Sequence, residues 1–182
     1  MEMRAMLCSL FCSIFALPAA AGGLRFQGKG LDAIAPLLGK TWVGEDTNAA
    51  GERTTSVEKW EWILGGKAAQ LRASVNKGEL GYQYTFYIDP ITHGLSFHGV
   101  STDGATVKGI VQIAAGKMIW TERIIGSPYL DLVKLTFTLL PDGNMTSSSE
   151  YFKGKTSVPG GHEFRYHADP DAKLVFAETS KP

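Results

Sequence analysis

Cysteine is nearly absent from this chain of 182 residues: Cys8 and Cys12 are the only two, and both fall close to the start. An excess of charge of one sign is absent as well, because 18 Lys and Arg balance 18 Asp and Glu. Capture of a polyanion draws on surplus positive charge, so nucleic acid is not expected as a partner. No uninterrupted apolar run reaches the roughly 20 residues that an α-helical membrane span needs. Histidine is scarce, with four in all, and no pair is set with a carboxylate at metal-site spacing. A nucleophile elbow of the Gly-x-Ser-x-Gly type, a phosphate loop and a dinucleotide fingerprint are all missing. No metal is therefore expected, and no catalytic constellation can be assembled from the sequence.

What is present begins with residues 1–21. Met-Glu-Met-Arg is followed by an apolar run from Ala5 to Leu17 and then by Pro18-Ala19-Ala20-Ala21. A short positive start, an apolar centre and small residues at Ala19 and Ala21 mark a secretory signal with cleavage before Gly22. Cleavage would remove both thiols and leave 17 charges of each sign. The expectation is an exported, periplasmic protein with no integral membrane span after cleavage. Lacking disulfides, it must be held together by its core.

Residues 22–35 read as a leader running into a short helix over 31–38, which Pro36 limits to about two turns. From Gly39 the character changes, and 36–182 reads as one β-domain. Short runs rich in Val, Ile, Thr and aromatics recur over 40–45, 56–64, 68–75, 81–88, 94–100, 106–114, 117–125, 130–140, 144–152 and 162–167, with a further candidate at 174–178. The joints are turn residues such as Gly65-Gly66, Asn76-Lys77-Gly78 and Asp142-Gly143-Asn144, so successive runs are neighbours in an antiparallel meander. About ten such strands predict an all-β, up-and-down barrel, the architecture that leaves no open edge.

Period-two alternation assigns the faces. Trp60, Trp62 and Leu64 share one face; so do Tyr82, Tyr84, Phe86 and Ile88, and likewise Val133, Leu135, Phe137 and Leu139. In 117–125, Met118, Trp120, Glu122 and Ile124 oppose Ile119, Thr121, Arg123 and Ile125. Glu58 and Glu122 thus fall on the tryptophan faces. Glu is rarely buried, and both are expected near strand ends, in water. Trp42, on the first strand, is expected to plug one barrel end, with an acceptor for its indole N–H.

Three stretches carry a resemblance: Leu37-Leu38-Gly39-Lys40-Thr41-Trp42-Val43-Gly44, Trp60-Glu61-Trp62-Ile63-Leu64-Gly65-Gly66-Lys67, and Leu140-Pro141-Asp142-Gly143 followed by Ser149-Glu150-Tyr151. In this order they resemble small bacterial families of unknown function with a lipocalin-like (calycin) barrel, distantly related to the nitrobindins. The resemblance covers about Pro36 to Tyr166 and implies a ten-stranded barrel with an interior cavity. Nitrobindins hold haem through a histidine of the last barrel strand, and His162 stands in a similar place, sharing a face with Phe164 and Tyr166.

The sequence therefore supports a barrel that holds a small hydrophobic or amphipathic ligand and needs no cofactor. Trp60, Trp62, Tyr82, Tyr84, Phe86, Trp120, Phe137 and Tyr166 are the expected wall, with Arg123 and His162 as polar groups. Two alternatives stay open: haem bound through His162, and a barrel filled by its own 19 aromatic residues that acts through its outer surface.

Overall fold

A computed structural model describes residues 25–48 and 51–176; the expected export signal and the end of the 174–178 run lie outside them. Eleven strands are present: β1 (Lys40–Thr47), β2 (Arg53–Ile63), β3 (Ala68–Val75), β4 (Leu80–Ile88), β5 (Leu95–Ser101), β6 (Thr106–Ala114), β7 (Lys117–Ile125), β8 (Leu132–Leu139), β9 (Met145–Lys153), β10 (Thr156–Val158) and β11 (Glu163–Ala168). Every pairing is antiparallel. β1 to β9 follow one another around a ring, and β11 closes it between β9 and β1. The result is a closed ten-stranded barrel with β10 as an extra strand.

β10 and β11 run in the same direction along β9. Val158 faces Tyr151, whereas Glu163 faces Ser148, so residues 159–162 bridge a step in register. Pro159 has no N–H to give to a ladder, and Gly160 has a positive φ of 111° that other residues resist. The tenth stave of the barrel is broken here, which the sequence reading did not anticipate. Leu174, Val175 and Phe176, expected to begin a strand, lie outside the ladder.

One end of the barrel is packed shut. Ahead of β1, Gly30–Leu37 forms 3-10 turns where a two-turn helix was expected, and Pro36 within it has no amide hydrogen to donate. This segment buries Ala33, Ile34 and Leu37, while Phe26 is anchored by its N–H on the Gly116 carbonyl at 3.2 Å. Beneath them lie Trp42, Trp60, Phe86, Phe97, Met118 and Met145, each almost wholly buried. Trp42 Nε1 donates to the Leu37 carbonyl at 3.3 Å, so the plug and the first strand are tied by the bond that the indole required. Rings of Trp60, Phe86, Phe97, Trp120 and Phe137 meet at centroid distances of 4.8 to 5.7 Å, mostly tilted.

Trp62 corrects a simple reading of alternation. It shares a face with Trp60, yet it is 45% exposed. β1 begins at Lys40, opposite Trp60, so no β1 residue stands beside Trp62 and the strand runs past the rim. Among the described residues, no helix is long and apolar enough to cross a membrane.

Candidate functional site

Above the packed floor the barrel is hollow. A cavity of about 410 Å³ lies between the Trp120/Phe137 layer and the open end. It exists because the inward positions change size along the staves. Large rings occupy the floor, whereas Ser56 and Thr54 on β2, Ala73 on β3, Val107 on β6 and Ser147 and Ser149 on β9 face the open half. At Gly44, a side chain is excluded: a Cβ there would overlap the Tyr166 ring, which leans across β1 into the wall.

Six of the ten expected wall residues line this cavity: Tyr82, Tyr84, Trp120, Phe137, His162 and Tyr166. The other four do not. Trp60 and Phe86 are fully buried in the floor beneath it. Trp62 is outside, for the reason given above. Arg123 points to solvent, because Met118, Trp120, Glu122 and Ile124 take the inward positions of β7. The reading that a filled barrel leaves no interior space is not what the structure shows.

Two residues that were expected in water are inside. Glu58 is 7% and Glu122 is 6% exposed, and both line the cavity. Alternation carried the signal, since each sits two residues from an inward tryptophan on its own strand. The rarity of buried glutamate argued the other way, and the fold overrode it.

The two carboxyls live in different company. Glu58 is well provided for: Tyr166 Oη donates to Oε1 at 2.8 Å and Trp60 Nε1 donates to Oε2 at 3.3 Å. Burial raises its pKa, and the two donors offset only part of that rise. Glu122 has no such support. Its Oε2 is buried without a hydrogen-bond partner among the described residues, and desolvation alone pushes its pKa up to about 7. In the ladders it lies opposite Gly109 on β6 and Val133 on β8, neither of which can donate from a side chain. Two residues away, Trp120 Nε1 is also buried and unpartnered. Such orphans are uncommon in folded proteins, and each one asks for an explanation.

Tyrosines surround the free acid. Tyr82 and Tyr84 stack at 5.8 Å with their planes 16° apart. Burial first, and the nearby Glu122 charge second, hold both phenols above their ordinary pKa. Tyr151, on β9, is raised mainly by burial, with Glu122 again contributing.

The mouth has its own pair. His162 Nδ1 lies 2.6 Å from Asp46 Oδ2, with the Phe164 ring 5.5 Å away. His162 is partly exposed, so it belongs to the rim and not to the depth of the cavity. His93, His98 and His167 are exposed on the outside. Among the described residues, no cluster of three or more His, Cys, Asp or Glu side chains could hold a metal ion.

Compared with family models and with curated proteins, the chain matches none of them.

Proposed function

We propose that this protein is a lipocalin-like binding barrel that holds one small amphipathic molecule in its interior. The observation that carries the reading is the hollow upper half itself: a cavity of about 410 Å³, walled by aromatic and aliphatic side chains, with the buried carboxyl of Glu122 in its wall. Apolar walls with a few placed polar groups are the usual make-up of a small-molecule site. The packed floor gives the ligand a single way in, from the His162 rim. Export to the periplasm, proposed from residues 1–21, would suit a carrier or scavenger of such a molecule.

A neutral, environment-sensitive dye such as N-phenylnaphthylamine tests the reading. Saturable binding with one site per chain is expected, together with a marked loss in Ala73→Trp, which places an indole in the cavity. A dye signal that is absent, or that is unchanged by the filled cavity, would reject an interior site.

Haem through His162 has one observation in its favour. The Asp46 carboxylate on Nδ1 leaves Nε2 as the open nitrogen, and a carboxylate behind a ligating histidine is a common metal-site arrangement. The interior beyond it fits haem poorly. Three carboxylates (Glu58, Asp103 and Glu122) line the cavity, and no Lys or Arg does so to meet the propionates. A Soret band on reconstitution that disappears in His162→Ala would reinstate this alternative.

A further inference from the structure

Glu122 sets a requirement on whatever fills the barrel. Its carboxyl is more than nine-tenths buried on the cavity wall, and Oε2 has no partner among the described residues. The other two acids of the wall have donors of their own, and Asp103 is exposed at the mouth. Glu58 receives Tyr166 and Trp60, while Asp103 receives the Ser101 hydroxyl and the Ala105 N–H. No lysine or arginine lines the cavity. The interior therefore has three acids and, at its rim, one imidazole, and Glu122 is the buried acid that leaves an oxygen without a partner among the described residues.

The rings of the wall favour a cationic visitor. Tyr82 and Tyr84 stack on one another in the same cavity wall, and Trp120 lies two residues from Glu122 on the same face of β7. Aromatic faces attract a cation through their quadrupole, and the attraction grows where water is excluded.

We propose that the cavity selects an amphiphile whose polar end is a protonated amine, its ammonium held by the Glu122 carboxylate. This rests on the reading of the barrel as a ligand-binding protein and names the ligand class it takes. Anionic amphiphiles such as fatty acids are disfavoured by the same three carboxylates. Neutral ones leave Glu122 without a charged partner.

Binding is coupled to a proton. Glu122 titrates at about 7, so below that pH its carboxyl holds a proton in the empty protein. When R–NH3+ arrives, the O–H bond of Glu122 breaks, its electron pair stays on the carboxylate, and the proton leaves to solvent. The charge before and after is +1. The groups that face Glu122 are Tyr82 and Tyr84 from β4 and Tyr151 from β9, with Gly109 on β6 and Val133 on β8 in register beside it. Asp103 and Glu58 line the same cavity, and His162 stands at its rim, paired with Asp46.

The test uses three molecules of one shape: naphthyloxyethylamine, naphthyloxyethanol and naphthyloxyacetate, titrated by calorimetry into the whole protein. Near pH 8 the amine is expected to bind at least about tenfold tighter than the alcohol, as charge-assisted hydrogen bonds do over neutral ones. The acetate should bind weakest. Glu122→Gln should bring the amine to the alcohol's affinity. Near pH 6, titrations in two buffers of different ionisation enthalpy should show close to one proton released per amine bound, and none for the alcohol. This last measurement needs no variant, so it holds even if Glu122→Gln fails to fold. An alcohol or acetate that equals or exceeds the amine, an amine advantage that survives Glu122→Gln, or binding without proton release would each overturn the amine proposal while leaving the interior site in place. If none of the three binds, and the neutral dye does not either, both readings fall.

Discussion

The two halves of the barrel are built from the same staves and treat polar atoms in opposite ways. In the floor, Trp42 and Trp60 are buried with their indole N–H groups bonded, to the Leu37 carbonyl and to Glu58. In the hollow half, Trp120 Nε1 and Glu122 Oε2 are buried with nothing to bond. Burial costs a polar group its hydration, and only a partner returns it. The floor has been completed by its own chain. The upper half leaves two buried polar atoms without a partner among the described residues.

That contrast can be attacked at four points. The largest effect is expected in the floor. Trp60→Ala removes a fully buried ring from the middle of the aromatic stack and should cost about 3–5 kcal/mol in urea denaturation. A loss below 1 kcal/mol would mean that the floor is not the stabilising half.

The next concerns Glu122, whose carboxyl rises from its ordinary 4.5 to about 7 on folding. The folded protein then binds more protons than the unfolded chain between those values. The contribution of Glu122 to stability is therefore fully present below pH 4.5 and declines as pH rises to 7, by about 3 kcal/mol in all. Burial raises Glu58 as well, which adds a slope of the same sign. Glu122→Gln should flatten most of the decline and make the protein more stable than wild type at pH 8. A wild-type profile that rises from pH 5 to 7 would contradict a protonated, buried Glu122.

Tyr166→Phe takes one donor from Glu58 and should cost about 1–3 kcal/mol, the range for a lost bond to a buried acceptor. Because that donor lowers the Glu58 pKa, the loss should grow at higher pH. A loss that is independent of pH would show that the phenol acts only by packing. The smallest effect is expected at Trp62→Ala, which should change stability by less than about 0.5 kcal/mol, as befits a residue beyond the rim. It should not alter binding of the dye. A large effect would move the boundary between floor and exterior.

Much of the floor and wall could be read from residue order. Alternation put Tyr82, Tyr84 and Phe137 on inward faces, grouped Trp120 with Glu122 and Tyr166 with His162 on faces whose direction it left open, and the glycine-rich joints between runs set the antiparallel succession. Three things could not be read this way. Trp62 obeys the alternation, but its exposure depends on where β1 starts, which is a fact about the neighbouring stave. Glu58 and Glu122 obey it too; the expectation of water failed because shear brings distant strands into one layer, out of sight of any single strand. The broken stave at 159–162 was missed because a Pro-Gly-Gly stretch reads as a turn, and nothing local says that the chain resumes along the same partner. His162 was placed on the correct face, but its depth, and hence its rim position beside Asp46, depends on that break.

The break itself has a mechanical meaning. A closed cylinder resists opening because every stave is bonded on both sides, and its resistance is set by the poorest seam. β11 pairs over only four positions with β1 and four with β9. β2 and β3, by contrast, pair over eight. β11 is thus the stave with the shortest ladders, and bonds beyond them fasten its start: Ser149 N–H donates to the His162 carbonyl at 3.0 Å, and His162 N–H donates to Ser149 Oγ at 2.8 Å.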